Sequence, residues 1–142
     1  SCAVIISKNQ VASPLVERDV DLLIAMTQAG LDKYGYQLAD NGILIYDVSA
    51  MKKPELKPGQ TAFGVDALAI ANSVGNARCA NSAILGAMSN ILTKMNMLTS
   101  ADEAEFEKVF TETITESFGS KPKVLEQNIA AFKAGKEAAL DA

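Results

Sequence analysis

Val20-Asp21-Leu22-Leu23-Ile24-Ala25-Met26-Thr27, then Leu31, Tyr34 and Leu38 at helical spacing, then Ile43-Leu44-Ile45-Tyr46-Asp47 form the most informative stretch of this chain. Both flanking runs are apolar on alternate and adjacent positions alike, which predicts strands covered on both faces. Between them Thr27 has the chemistry of a helix N-cap, and the three large side chains repeat with helical period. Asp40-Asn41-Gly42 carries turn chemistry that predicts where this helix closes. Strand, short helix, strand with tight connections is a βαβ unit, which predicts parallel pairing and a right-handed crossover.

Upstream, Ser1-Cys2-Ala3-Val4-Ile5-Ile6-Ser7 begins inside another apolar run and predicts a strand over 2–6, central in the sheet. A chain that opens in a central strand reads as a fragment, or as a product lacking its N-terminal part. Asn9-Gln10 and Ser13-Pro14 break the pattern. Downstream, residues 48–60 hold Lys52, Lys53, Pro54, Lys57, Pro58 and Gly59, a loop whose basic cluster either meets an anionic partner or is simply solvated. A fourth strand is predicted over Gln60 to Val65, followed by a helix from Ala67 to Val74 with Asp66 as cap and Gly75 as stop.

From residue 80 the chain reads as helical. A helix over 81–98 is apolar nearly all round (Ile84, Leu85, Met88, Ile91, Leu92, Met95), which predicts burial on more than one side. Its face of Ser82, Gly86 and Ser89 predicts a close approach, either by another backbone of the same domain or by a subunit or cofactor. Ser100-Ala101-Asp102-Glu103 is a capping-box pattern ahead of a stripe of Phe106, Val109, Phe110, Thr113, Ile114 and Phe118. Lys121-Pro122 starts a last helix with Leu125, Asn128, Ile129 and Phe132 inside. The architecture predicted is one domain over 1–142: a three-layer α/β/α fold with a mostly parallel sheet and a helical C-terminal half.

At 142 residues the chain is of single-domain size. Thirteen basic against seventeen acidic residues give a net charge of −4, which argues against a nucleic-acid face. With no histidine there is no His-dependent triad, His-ligated metal or imidazole base. Two cysteines, Cys2 and Cys79, fall short of the four thiolates of a zinc or iron–sulfur site. As a pair without secretory context they read as reduced, buried thiols of a cytoplasmic protein. No apolar run reaches the length of a membrane span, and no leader pattern is visible.

Candidate site residues are few. Asp47 ends a strand, where open α/β sheets place ligands. It reads either as a hydroxyl or cation ligand or as a cap on the following loop. The segment Gly75-Asn76-Ala77-Arg78-Cys79-Ala80-Asn81-Ser82 joins two helices. Asn81 or Ser82 is a candidate cap, and with Arg78 the helix entrance reads either as an anion site or as a capped helix carrying a surface arginine. No catalytic constellation is recognisable, and no Gly-rich phosphate loop occurs.

The order and spacing of four segments resemble the γ subunit, or γ domain, of the 2-oxoacid:ferredoxin oxidoreductases. They are Val20 to Gln28, Asp40 to Asp47, Ala80-Asn81-Ser82-Ala83-Ile84-Leu85-Gly86-Ala87, and Lys121-Pro122-Lys123 through Gly135. The resemblance covers residues 1–136. The chain departs from the family in lacking its Gly-Gly-Gln-Gly opening segment and the following helix and loop, so it resembles the C-terminal part of a γ domain. The resemblance implies a non-catalytic subunit of an enzyme that oxidatively decarboxylates a 2-oxoacid, such as 2-oxoglutarate or pyruvate, to an acyl-coenzyme A. It implies that thiamine diphosphate, iron–sulfur clusters and coenzyme A belong to the assembled complex, with none bound by this chain. Ferredoxin or flavodoxin would be reached through the complex.

Two other readings stay open: a free-standing module for a small anion or nucleotide, and a structural dimerisation domain. The isolated chain is expected to be inactive and to form a homo-oligomer through the strand of Cys2 to Ile6 or the Gly86 face of helix 81–98.

Overall fold

The computed structural model describes residues 3–6 as backbone and residues 20–138 in full. Four strands, β1 (Ala3–Ile6), β2 (Val20–Ala25), β3 (Leu38–Asp47) and β4 (Thr61–Val65), form one sheet in the order β1-β2-β3-β4. β2, β3 and β4 run parallel, with Leu23 opposite Leu44 and Leu44 opposite Ala62. β1 pairs antiparallel with β2. The strand expected at the chain's start is therefore present, but it is not central: among the described residues it has one neighbour and lies at the sheet's edge. The breaks at Asn9-Gln10 and Ser13-Pro14 lie outside the described residues.

The helices are α1 (Gln28–Tyr34), α2 (Ala67–Ser73), α3 (Ala80–Lys94), α4 (Ser100–Phe118) and α5 (Pro122–Glu137). The chain divides into two compact units, one holding the sheet up to Val65 and the other running Asp66–Ala139. The α/β class, the mostly parallel sheet and the helical second half agree with the sequence expectation.

In the sheet unit, both faces of β2 are buried: Leu22 and Ile24 on one, Leu23 and Ala25 on the other. Thr27 caps α1 as expected, its Oγ1 accepting from the Gly30 N–H at 3.0 Å. The helix ends earlier than its stripe predicts. A 3-10 turn follows at Gly35–Gln37, and Leu38 opens β3 opposite Val20. Leu38 would be buried in a longer helix or in a strand, so the period alone cannot distinguish the two.

Asp40-Asn41-Gly42 consequently sits within β3 instead of closing a helix. Here the register jumps from Val20 opposite Leu38 to Leu22 opposite Ile43, a bulge in the ladder. Two carbonyls at its start, of Leu38 and Ala39, accept from the Gln60 side-chain amide at 3.2 and 3.0 Å. These bonds give main-chain carbonyls beside the bulge a side-chain partner.

In the helical unit, α2 is capped by Asp66, which accepts from the Ala69 N–H, and Gly75 at φ +84° turns the chain after it. The predicted helix 81–98 is observed as α3, with Ala83, Ile84, Ala87, Met88 and Ile91 buried and Met95 left exposed at its end. The capping box ahead of α4 lies one residue earlier than expected: Thr99 is the cap and Asp102 its reciprocal partner. Of the predicted α4 stripe, Phe110 is buried against the Phe132 ring, centroids 4.2 Å apart, whereas Val109 and Thr113 face outward. The observed stripe is narrower than the predicted one, because a helix packed along one side buries only its innermost rows.

Candidate functional site

Asp47 is buried at the end of β3. Its Oδ1 accepts from the Ser49 N–H at 3.0 Å and the Ser49 hydroxyl at 2.6 Å, and its carbonyl accepts from the Ala50 and Met51 N–H groups. The side chain thus shapes the turn after the strand, the local role open to any strand-end aspartate.

The helix entrance belongs to the other unit. Neither Asn81 nor Ser82 caps α3. The helix is entered through a 3-10 turn, Ala77–Cys79, whose cap is Asn76, accepting from the Arg78 N–H at 3.0 Å. Asn76 in turn donates to the Gln127 side-chain carbonyl on α5 at 3.2 Å. Ser82 is buried and donates to Asn128 Oδ1 at 2.7 Å, while Asn128 Nδ2 donates to the Val124 carbonyl at 2.9 Å. Arg78 and Asn81 are exposed. Of the three entrance candidates, then, Arg78 and Asn81 face solvent and Ser82 is committed to α5.

Cys79 is fully buried, and burial pushes its thiol pKa up, so the protonated form is favoured. A protonated, enclosed thiol is a poor nucleophile and a poor metal ligand. Cys2 lies outside the described residues. Among the described residues no three His, Cys, Asp or Glu side chains are grouped to hold a metal ion. No described helix is long and apolar enough to cross a membrane.

The close approach expected at Gly86 is made by the chain itself. A side chain on Gly86 would overlap the Phe132 carbonyl on α5, and one on Gly135 would overlap the Ala83 carbonyl on α3. That face is closed, so it cannot be the self-association surface anticipated from the sequence.

One feature escaped the sequence reading. A hollow of about 330 Å³ lies in the sheet unit beside α1, walled by Leu31, Leu38 and Leu56, with Asp32, Tyr36 and Glu55 at its edge. The available signal was Gln28, Asp32 and Tyr36 at four-residue spacing, which puts polar and aromatic groups on one helical row.

Residues 1–138 match the family described as pyruvate ferredoxin/flavodoxin oxidoreductase. The ketoisovalerate oxidoreductase subunit VorA of Methanothermobacter thermautotrophicus is 37% identical over 138 residues, 96% of this chain and 26% of the relative. VorA of Methanothermobacter marburgensis is 34% identical over 140 residues, with the same coverage. The chain thus spans about a quarter of the length of the curated relatives it matches. Among solved structures, the γ subunit of a keto/oxoacid ferredoxin oxidoreductase from Geobacter sulfurreducens PCA superposes with a TM-score of 0.64 at 30% identity. That match covers 84% of this chain and 63% of the other. A 2-oxoglutarate:ferredoxin oxidoreductase from Magnetococcus marinus shares the fold at a TM-score of 0.62 and 21% identity, over 82% of this chain and 19% of that one. With a match running from the edge strand through α5, the chain belongs to the pyruvate ferredoxin/flavodoxin oxidoreductase family.

Proposed function

We propose that this chain acts as the non-catalytic γ part of a multi-subunit 2-oxoacid:ferredoxin oxidoreductase in the cytoplasm. The family match over residues 1–138 carries this reading, and it runs across both compact units, which supports treating them as one functional domain. The chain's residues favour a supporting role. It has no histidine, its described cysteine is enclosed, and Asp47 and Ser82 are bound to their own neighbours. Thiamine diphosphate, the iron–sulfur clusters and coenzyme A are held elsewhere in the assembly, which passes electrons to ferredoxin or flavodoxin. Arg78 and Asn81, both exposed at the entrance of α3, are the chain's contribution toward an anionic group.

The substrate is a 2-oxoacid. Pyruvate and 2-oxoglutarate are the classes the sequence resemblance implies, and the two VorA relatives add ketoisovalerate to the set. The test is coenzyme A-dependent reduction of a viologen dye with each of the three acids. The assembled enzyme should turn over one of them, and the isolated chain supplied with cofactors should turn over none. Activity from the isolated chain would overturn the reading.

When isolated, the chain should self-associate through the edge of its sheet at β1, which has no outer neighbour among the described residues, since unpaired strand edges invite pairing. Sedimentation that stays at 15.0 kDa as concentration rises would contradict this.

A further inference from the structure

We infer that the hollow beside α1 seats an arginine side chain from a partner subunit of the assembly. Its aliphatic stem would lie against Leu31, Leu38 and Leu56, with the guanidinium among Asp32, Glu55 and Tyr36. The inference rests on the assembly proposed above and adds a location and a chemistry to it.

The lining selects the charge. Among the described residues, two carboxylates line the hollow while Lys57 lines only the adjoining depression, and neither carboxylate belongs to an ion pair. The walls are leucine, so the occupant needs an apolar body as well as a positive end. Arginine combines the two, burying its methylenes while its head stays at the rim.

Two rim groups are held in place before anything binds. Gln28 on the preceding turn of α1 donates to Asp32 Oδ1 at 2.9 Å. The buried amide of Gln37 donates to the Tyr36 hydroxyl at 3.2 Å, although the Tyr36 residue itself is 66% exposed. An aromatic ring presented to solvent while its hydroxyl is tethered is suited to stacking on a planar cation. Arginine suits the site better than lysine, because its guanidinium can stack on the ring and bond a carboxylate through two donors.

The exposure of the rim selects the source. Asp32 and Glu55 are exposed, so each pairs with a cation through water-screened contacts that hold a free small molecule poorly. A free ligand must also offset its whole loss of translational freedom from this one hollow. A side chain delivered by a docking protein shares that cost over the full interface. Tyrosine and arginine are the residue types that most often anchor such interfaces.

The experiment uses the full chain co-expressed with its oxidoreductase subunits. Tyr36 is replaced by the photoreactive p-benzoylphenylalanine, the complex is illuminated, and crosslinked peptides are identified by mass spectrometry. The expected product joins position 36 to a segment of another subunit within a few residues of an arginine. The charge reversals Asp32→Arg with Glu55→Arg should lower recovery of the complex about tenfold, equivalent to about 1.4 kcal/mol. Glu116→Arg, on the exposed side of α4, should leave recovery unchanged. Unchanged thermal melting of the isolated variants would place the effect in docking and not in folding. Crosslinks only within this chain, crosslinks to a segment without arginine, or full recovery of the reversed variant would each overturn the inference while leaving the assembly standing. Failure of any complex to form would overturn both.

Discussion

The Phe132 main-chain carbonyl occupies the space that a side chain at Gly86 would need. The relation is reciprocal, since Gly135 makes the same room for the Ala83 carbonyl. α3 and α5 therefore meet backbone to backbone, and the buried Ser82–Asn128 hydrogen bond spans the same contact. Replacing Gly86 by alanine forces main chain apart instead of displacing a flexible side chain. Gly86→Ala should cost about 1–3 kcal/mol or more, the range for overpacking a closed core. Urea unfolding of the isolated chain measures it, and an unchanged midpoint would mean the two helices do not meet this way.

Ser82→Ala leaves the Asn128 carbonyl oxygen without its donor inside the helical unit. The expected loss is about 1–3 kcal/mol, the desolvation cost of an unpaired buried acceptor. Asn128→Leu alone should also destabilise, but the double variant should lose clearly less than the two single losses added together. Strict additivity by denaturant titration would show the bond to be absent.

Lys136 on α5 reaches Glu103 at 2.9 Å and Glu107 at 3.4 Å on α4. The Lys136 hydrogen bond holds the Glu103 pKa below its ordinary value, and the Glu103 hydrogen bond raises that of Lys136. For Glu103, whose folded pKa is depressed, the contribution is present above the ordinary value of 4.5 and is lost as pH falls through the folded value below it. For Lys136, whose folded pKa is raised, the contribution is complete below 10.5 and is lost as pH rises through the folded value above it. The stability difference between wild type and Lys136→Met should therefore be flat across neutral pH and narrow at both extremes. A difference that grows as pH falls below 4 would contradict the pairing.

Cys79 should resist a thiol reagent in the folded chain at pH 8 and react fully in denaturant, because it is enclosed and its pKa is raised. A Cys2→Ser variant isolates the signal. Stoichiometric labelling of the native variant would show the α3 entrance to be open.

Where sequence chemistry was strictly local, it was legible. Thr27, Asp66 and Pro122 mark helix starts through groups within a turn of themselves, and all three stand where their type predicts. The parallel pairing of β2 with β3 followed from two doubly apolar runs joined by a helix. What was not legible depends on distant partners. Leu38 reads as helical until Val20 is placed opposite it, and the Asp40-Asn41-Gly42 bulge is stabilised by Gln60, some twenty residues on. Ser82 looked available for a ligand because nothing local spends its hydroxyl; its partner Asn128 is 46 positions away. Gly86 correctly announced a close approach, yet only the fold reveals α5 as the neighbour.

Association with cofactor-bearing subunits is the claim on which the functional reading turns. The direct measurement is co-expression of a tagged copy of this chain with the other oxidoreductase subunits, followed by purification, native mass spectrometry and assay for bound thiamine diphosphate and iron. The account predicts a complex of fixed stoichiometry that carries both cofactors. The same chain purified alone should carry neither. Recovery of the tagged chain free of partners, with the other subunits assembling into an active enzyme without it, would contradict the account.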